Sequence, residues 1–288
     1  GVRYRYDLEG RLTQLETTSG MRISYSHGSY GELPGVSSPL GSLSLRYETE
    51  GEIAPVLTEM RSDALRAAFT YDAGGRLTEL AYRHGRWPAD RALAIRYTYD
   101  LADNVISRQD ESGTTTYAYD LLDQLVSVRY PAGSEARYSY DAVGNRVEAV
   151  TPQGTVRYAY DAANQLVSAN DTGYYHDANG YLIGAWQGDR ARVFAWDYQG
   201  RLREVRERAA GSLPFPLSLA GDGARSTLLA AYRYDLLGQV AEEQTSAGEV
   251  TRYLNSEQHV VEEYAATGES LGRSVYTDRW DQLGARGR

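Results

Sequence analysis

YAYDLLDQLVSVRYPAGSEARYSYDAVGNRVEAVTPQGTVRYAYDAANQLVSA, residues 117–169, repeats one pattern: two tyrosines two residues apart, an aspartate, a turn, an aliphatic strand and a second turn. The Tyr-Asp pair stands at Tyr6-Asp7, Tyr71-Asp72, Tyr99-Asp100, Tyr119-Asp120, Tyr140-Asp141, Tyr160-Asp161 and Tyr234-Asp235. Trp-Asp variants stand at Trp196-Asp197 and Trp280-Asp281, and Tyr175-His176-Asp177 reads as a copy stretched by one residue. Between 99 and 160 the step is 20, 21 and 20 residues, a period that marks a repeat architecture. A unit of that size buries no core of its own, so the sequence predicts one continuous array over residues 1–288.

Within a unit the period is two. Tyr97 and Tyr99, Tyr117 and Tyr119, Tyr138 and Tyr140, Tyr158 and Tyr160, and Tyr232 and Tyr234 stand at i and i+2, so both rings leave one face of a strand. An aromatic ladder along one sheet face is expected, with rings stacking between neighbouring strands. The aspartate accepts backbone N–H bonds from two residues on, and a Gly, Asn or Asp three residues later supplies the left-handed conformation that closes the turn. Those closers read as Gly10, Gly75, Asp103 or Asn104, Asp123, Gly144 or Asn145, Asn164, Gly180, Gly200, Gly238 and Gly284. An aliphatic residue then opens the next strand, as in Leu12, Leu77, Leu125, Val147, Leu166, Leu182, Leu202 and Val240. A second turn, written TTSG, ESG, PAG, PQG or SAG, completes the hairpin. The predicted fold is all-β: antiparallel β-hairpin repeats forming a long ribbon that curls or spirals, because open sheets of many strands do not stay flat. Degenerate copies at Tyr25, Tyr47 and Tyr253 and insertions near 83–92 and 207–227 interrupt the array.

Composition removes several function classes. The chain of 288 residues has no Cys, and its 30 basic residues are all Arg, so thiol nucleophiles, thiolate zinc sites and lysine chemistry are absent. Net charge is −9, with neither half basic, which argues against nucleic-acid binding. Asp222 and Arg225 interrupt the most apolar stretch, so no membrane span is expected. His27, His84, His176 and His259 are scattered without ligand spacing and read as surface or turn histidines; the stretch DANG at Asp177–Gly180 reads as one more turn and not a calcium loop. No metal and no cofactor is expected. Glu242 with Glu243, or Glu262 with Glu263, invites a glycosidase reading, but adjacent strand residues point to opposite faces. Trp87 and Trp186 lie off the ladder positions and are the candidates for a surface contact.

The pattern Tyr-x-Tyr-Asp-x-x-Gly/Asn-x-Leu/Val, carried from Tyr4 to Gly284, resembles the YD-repeat (RHS-repeat) proteins: bacterial RHS polymorphic toxins, the shell components of Tc toxin complexes, and teneurins. The resemblance implies a non-enzymatic wall segment of a hollow shell, secreted or at the cell surface, whose partners are an encapsulated C-terminal toxin or effector polypeptide and the remaining shell segments. It also offers an alternative, an adhesion module for a cell-surface glycan or receptor. The Asp-Pro-x-Gly-Leu signature that marks self-cleavage in the bacterial members does not occur, so neither cleavage nor toxicity is assigned to these residues. Both ends are expected to be cuts through a longer array, and exposed ribbon ends to favour edge-to-edge self-association.

Overall fold

The computed structural model describes residues 1–48, 55–85, 92–209, 226–256, 259–275 and 285–287. Every regular element among them is a β-strand, and each strand pairs antiparallel with its sequence neighbours wherever a register is defined. The all-β hairpin fold expected from the period-two pattern is therefore the one observed. The described residues group into two compact units, one built on Gly1–Ala136 and the other on Arg137–Ser274.

In the first unit the face that carries the tyrosines is the packing face. Strands Gly41–Glu48, Val56–Ser62, Leu65–Tyr71 and Leu77–His84 align Leu45 with Met60, Met60 with Ala67, and Phe69 with Leu80 across their ladders. These residues form a buried cluster of Leu45, Leu57, Met60, Ala67 and Phe69, against which Tyr47, Tyr71, Leu77 and Tyr82 pack. Leu15, Met21 and Ile23 are equally enclosed. Full burial of one such side chain stabilises by about 1.5–3 kcal/mol, so the short strands hold together by side-chain contacts between neighbours as well as by their ladders.

Charged pairs line much of the opposite face, which in strand Arg190–Trp196 also buries Ala191 and Val193. Glu79 lies across from Arg96 and bonds its guanidinium at 2.8 Å; Glu59 and Arg66, Glu148 and Arg157, and Glu242 with Arg233 and Arg252 repeat the arrangement. Cross-strand pairs of opposite charge each contribute about 0.2–1 kcal/mol at a surface, enough to favour this register and exclude a one-residue slip that would bury them.

Every hairpin with an aspartate turn carries the same irregularity. The second tyrosine pairs with the first residue after the turn, and one residue of the outgoing strand bulges: Tyr71 lies opposite Leu77, Tyr99 opposite Val105, Tyr119 opposite Leu125, Trp196 opposite Leu202 and Tyr234 opposite Val240. A bulge increases local twist and re-aims side chains, here bringing the post-turn residue onto the tyrosine face.

Two sequence assignments are corrected. In the copy at 140 the residue opposite Tyr140 is Arg146, and Val147 is the bulged one, because the turn there is closed at Gly144 and the count to the strand starts one residue earlier. His176 stands opposite Leu182 in the tyrosine position, so that copy is not stretched. Tyr175 consequently points to the other face, where its ring stacks on Trp186 at 4.3 Å.

Candidate functional site

The recurring site is the aspartate turn together with the tyrosine that clamps it to the next hairpin. In the copy at 72, the Asp72 N–H donates to the Arg76 carbonyl and the Gly75 N–H returns to the Asp72 carbonyl, closing a three-residue loop. Asp72 Oδ1 accepts the N–H groups of Gly74 (2.9 Å) and Arg76 (3.0 Å). Gly75 takes φ of 80°, a left-handed conformation that a side chain resists. The same geometry recurs at Asp7, Asp100, Asp120, Asp141, Asp161, Asp177, Asp197 and Asp235. Where the sequence left two closers open, Asp103 (φ 66°) and Gly144 (φ 90°) are the left-handed residues.

The neighbours of those closers have a different task. The residue four after the aspartate reaches back to the free carboxylate oxygen: Arg11, Arg76 and Arg201 through Nε at 2.7–2.8 Å, Asn104 and Asn145 through Nδ2. It then reaches forward to the following turn. Arg76 donates to the Asp100 carbonyl and to Asp103 Oδ1, Asn104 to Asp123 Oδ1, and Asn145 to Asn164 Oδ1. The Arg76 and Arg201 guanidiniums also lie over the rings of Tyr99 and Tyr234, at 5.0 and 4.6 Å from the centroids. Sequence reasoning missed this link, although the run of Arg, Asn and Gln at that offset (Arg11, Arg76, Asn104, Gln124, Asn145, Gln165, Arg201, Gln239) was its signal.

Electrostatics follow the bonds. The Asp72 carboxyl is held below the usual carboxylate range by the Arg76 backbone N–H and then its guanidinium; at Asp141 the Asn145 side chain is the largest cause. Asp197 is lowered in the same way as Asp72, first by the Arg201 backbone N–H. The Arg76 guanidinium is raised by Asp72 and then by Asp103.

The second tyrosine is a staple. Its hydroxyl donates to the carbonyl of the residue that sits opposite the tyrosine of the preceding repeat: Tyr71 to Leu57 (2.8 Å), Tyr99 to Leu77 (2.6 Å), Tyr119 to Val105 (2.9 Å), Tyr160 to Arg146 (3.1 Å) and Tyr234 to Leu202 (2.6 Å). Trp196 does so through Nε1, to Leu182. The degenerate copies keep the bond with other donors. His27 Nε2 lies 2.6 Å from the Leu12 carbonyl, and Asn255 Nδ2 donates to the Val240 carbonyl at 2.8 Å. His27 thus has a defined place in the array. Ring stacking between ladder rings of neighbouring strands, expected from the sequence, is not what recurs: Tyr4 stacks on Tyr6 of its own strand and Tyr181, at a turn, on Trp196, while the bond seen from copy to copy is the hydroxyl to the carbonyl.

Where the aspartate itself is missing, its role is refilled. At Gly28 the turn bonds persist, and the Glu32 carboxylate occupies the place a side chain at 28 would take, accepting the Tyr30 N–H at 2.9 Å.

Of the structural positions singled out from sequence, Tyr6 and Asp7 through Tyr234 and Asp235 all stand in these turns. Trp186 is half-buried on the face opposite the ladder, lying over Gly173, where a side chain would collide with its indole. Trp87, Trp280, Asp281 and Gly284 lie outside the described residues. Glu242 and Glu243 point to opposite faces: Glu242 pairs with Arg233 and Arg252, while Glu243 accepts the Tyr253 hydroxyl at 2.9 Å. Burial first, and then Glu243 and Glu263, push that phenol up to about 12. Among the described residues no group of three or more His, Asp or Glu is placed to hold a metal ion.

The chain is 27% identical over 163 residues to double-stranded DNA deaminase toxin A of Burkholderia cenocepacia (strain H111), covering 45% of this chain and 11% of that protein. Among solved structures it is similar to TcdB2-TccC3, at 13% identity and TM-score 0.46 over 96% of this chain and 20% of that one. A Photorhabdus luminescens Tc holotoxin pore gives 12% identity and TM-score 0.45, over 96% of this chain and 23% of that one. The chain thus spans about a tenth of its curated relative and about a fifth of the solved chains. The sequence model of the teneurin YD-shell matches residues 104–283, well over half of the chain, and within that match lie the stapled aspartate turns from Asp120 to Asp235. The chain belongs to the teneurin YD-shell family, a structural shell scaffold.

Proposed function

We propose that the chain is a non-enzymatic wall segment of an exported hollow shell that encloses a C-terminal toxin or effector polypeptide. The observation that carries this reading is the staple: in repeat after repeat the second tyrosine bonds the backbone of the repeat before it, so the sheet extends one hairpin at a time. Such a sheet, curled by its twist, makes a wall. The family supports the scaffold role, and the similarity to a toxin supports a toxin-bearing parent. The test is limited proteolysis of the parent protein. The segment downstream of the array is expected to survive protease while the intact wall is present and to be digested once the wall is opened by replacing Tyr99, Tyr119 and Tyr234 with Ala. Equal digestion in both would overturn enclosure.

One observation favours a second reading, adhesion to a glycan or receptor: the Tyr175 and Trp186 pair stands on the face away from the ladder. If that reading holds, Trp186→Ala abolishes retention on a glycan array while the β-sheet circular dichroism is unchanged; retention equal to wild type sinks it.

A further inference from the structure

The post-turn residue opposite the second tyrosine is aliphatic in almost every copy: Leu12, Leu77, Val105, Leu125, Leu166, Leu182, Leu202 and Val240. In the copy at 140 it is Arg146. This places a cation on the aromatic face at a position built for a leucine. The guanidinium lies over the Tyr138 ring at 5.0 Å, and the main-chain carbonyl of Arg146 still accepts the Tyr160 hydroxyl, so the staple is intact and the charge is additional to it. Several other arginines of this unit have carboxylate partners: Arg157 with Glu148, Arg201 with Asp197, and Arg252 with Glu242. Among the described residues no carboxylate pairs with Arg146.

The residue also borders a hollow. Tyr140, Asn145, Arg146, Tyr158, Tyr160 and Leu166 line an open concavity of about 440 Å³, within the size range of ligand sites. The Asn145 amide is committed to Asp141 and Asn164. Arg146 is therefore the charged group with bonding capacity to spare, set among half-buried phenol rings and one leucine. Planar guanidinium stacked on a ring keeps its N–H edge available, and that edge matches a carboxylate in two-point geometry. The surrounding rings and Leu166 match an apolar or aromatic side chain next to the acid.

We infer that this hollow is a binding site for a carboxylate-bearing segment of an extended polypeptide, an acidic residue engaging Arg146 while a neighbouring aromatic or aliphatic side chain lies on Tyr158 and Leu166. The inference rests on the enclosure reading, for which it supplies a point of contact between wall and cargo. The chain's net charge of −9 makes the claim discriminating, since general electrostatics favours basic peptides and only a local cation selects acidic ones.

The test uses the full chain and short fluorescent peptides that are unstructured, one of Glu, Tyr, Gly and Ser and one of Lys, Tyr, Gly and Ser, read by anisotropy at low and high salt. Wild type is expected to bind the acidic peptide about tenfold more tightly than Arg146→Leu does, the size of a lost charge-assisted bond. Arg146→Leu restores the residue type of the other repeats and so keeps the fold, checked by circular dichroism; Arg146→Gln is the second variant. Arg157→Gln, on the opposite face, is expected to bind like wild type. Equal affinity of wild type and both Arg146 variants overturns the site, as does a loss of the same size in Arg157→Gln. Proteolysis of the parent carrying Arg146→Leu separates the two claims: shielding without any acidic-peptide preference removes the site alone, and a preference without shielding removes enclosure alone.

Discussion

At the scale of one residue, the aspartate of each turn is an acceptor hub whose ionised form is what the turn requires. Its carboxyl is lowered at Asp7, Asp72, Asp141 and Asp197, so the stabilisation is fully present above the ordinary carboxylate pKa and is lost as pH falls through the depressed folded value. Acid unfolding is expected to begin in these turns. Replacement by Asn tests the hub: Asp72→Asn, which loses the Arg76 bond, is expected to lower the urea midpoint more than Asp120→Asn, where the backbone N–H groups of Leu122 and Gln124 hold the carboxylate. Equal midpoints would show the arginine to be idle. Tyr253 titrates in the opposite sense. Its folded pKa of about 12 lies above the ordinary phenol value near 10, so its contribution is whole below pH ~10 and disappears between there and 12; burial also raises Tyr71, Tyr99, Tyr119 and Tyr234, so tyrosinate absorbance is expected to show a late-ionising fraction of which Glu243→Gln brings one phenol earlier.

At the scale of the hairpin, the staple and the bulge work together. Tyr234→Phe removes the hydroxyl from the Leu202 carbonyl and keeps the ring, so denaturation is expected to show a loss of about 0.5–1.5 kcal/mol. Gly173→Ala belongs to the same scale for a packing reason: the added methyl displaces the Trp186 indole from its seat, an overpacking cost of about 1–3 kcal/mol, visible as a shift in tryptophan fluorescence. The hairpin was legible in the sequence because its signals are local. Alternating tyrosines fix the face, and Asp followed by Gly or Asn fixes the turn. The staple was not, because the acceptor is a backbone carbonyl 14 to 32 residues away and leaves no trace in residue identity. For the same reason His27 and Asn255 read as breaks in the pattern although they occupy its donor position. Arg146 was hidden by a one-residue ambiguity in where the turn ends, which the left-handed Gly144 resolves.

At the scale of the whole molecule, stability is a sum of nearest-neighbour terms, so damage is expected to spread to adjacent repeats and no further. Hydrogen exchange of Tyr99→Ala is expected to accelerate in strands Leu77–His84 and Val105–Asp110 while strands Leu182–Gln187 and Arg190–Trp196 keep their protection. Uniform acceleration would indicate a single cooperative core instead. The staple's acceptor has one more consequence. A main-chain oxygen is present whatever amino acid carries it, so the receiving half of each junction is indifferent to mutation, and the giving half asks only for an N–H or O–H at the right reach, which phenol, indole, imidazole and carboxamide all provide. Joints of that kind let whole units be inserted, lost or exchanged between genes without a matching change next door, and leave the remaining positions free to vary with whatever the array has to hold.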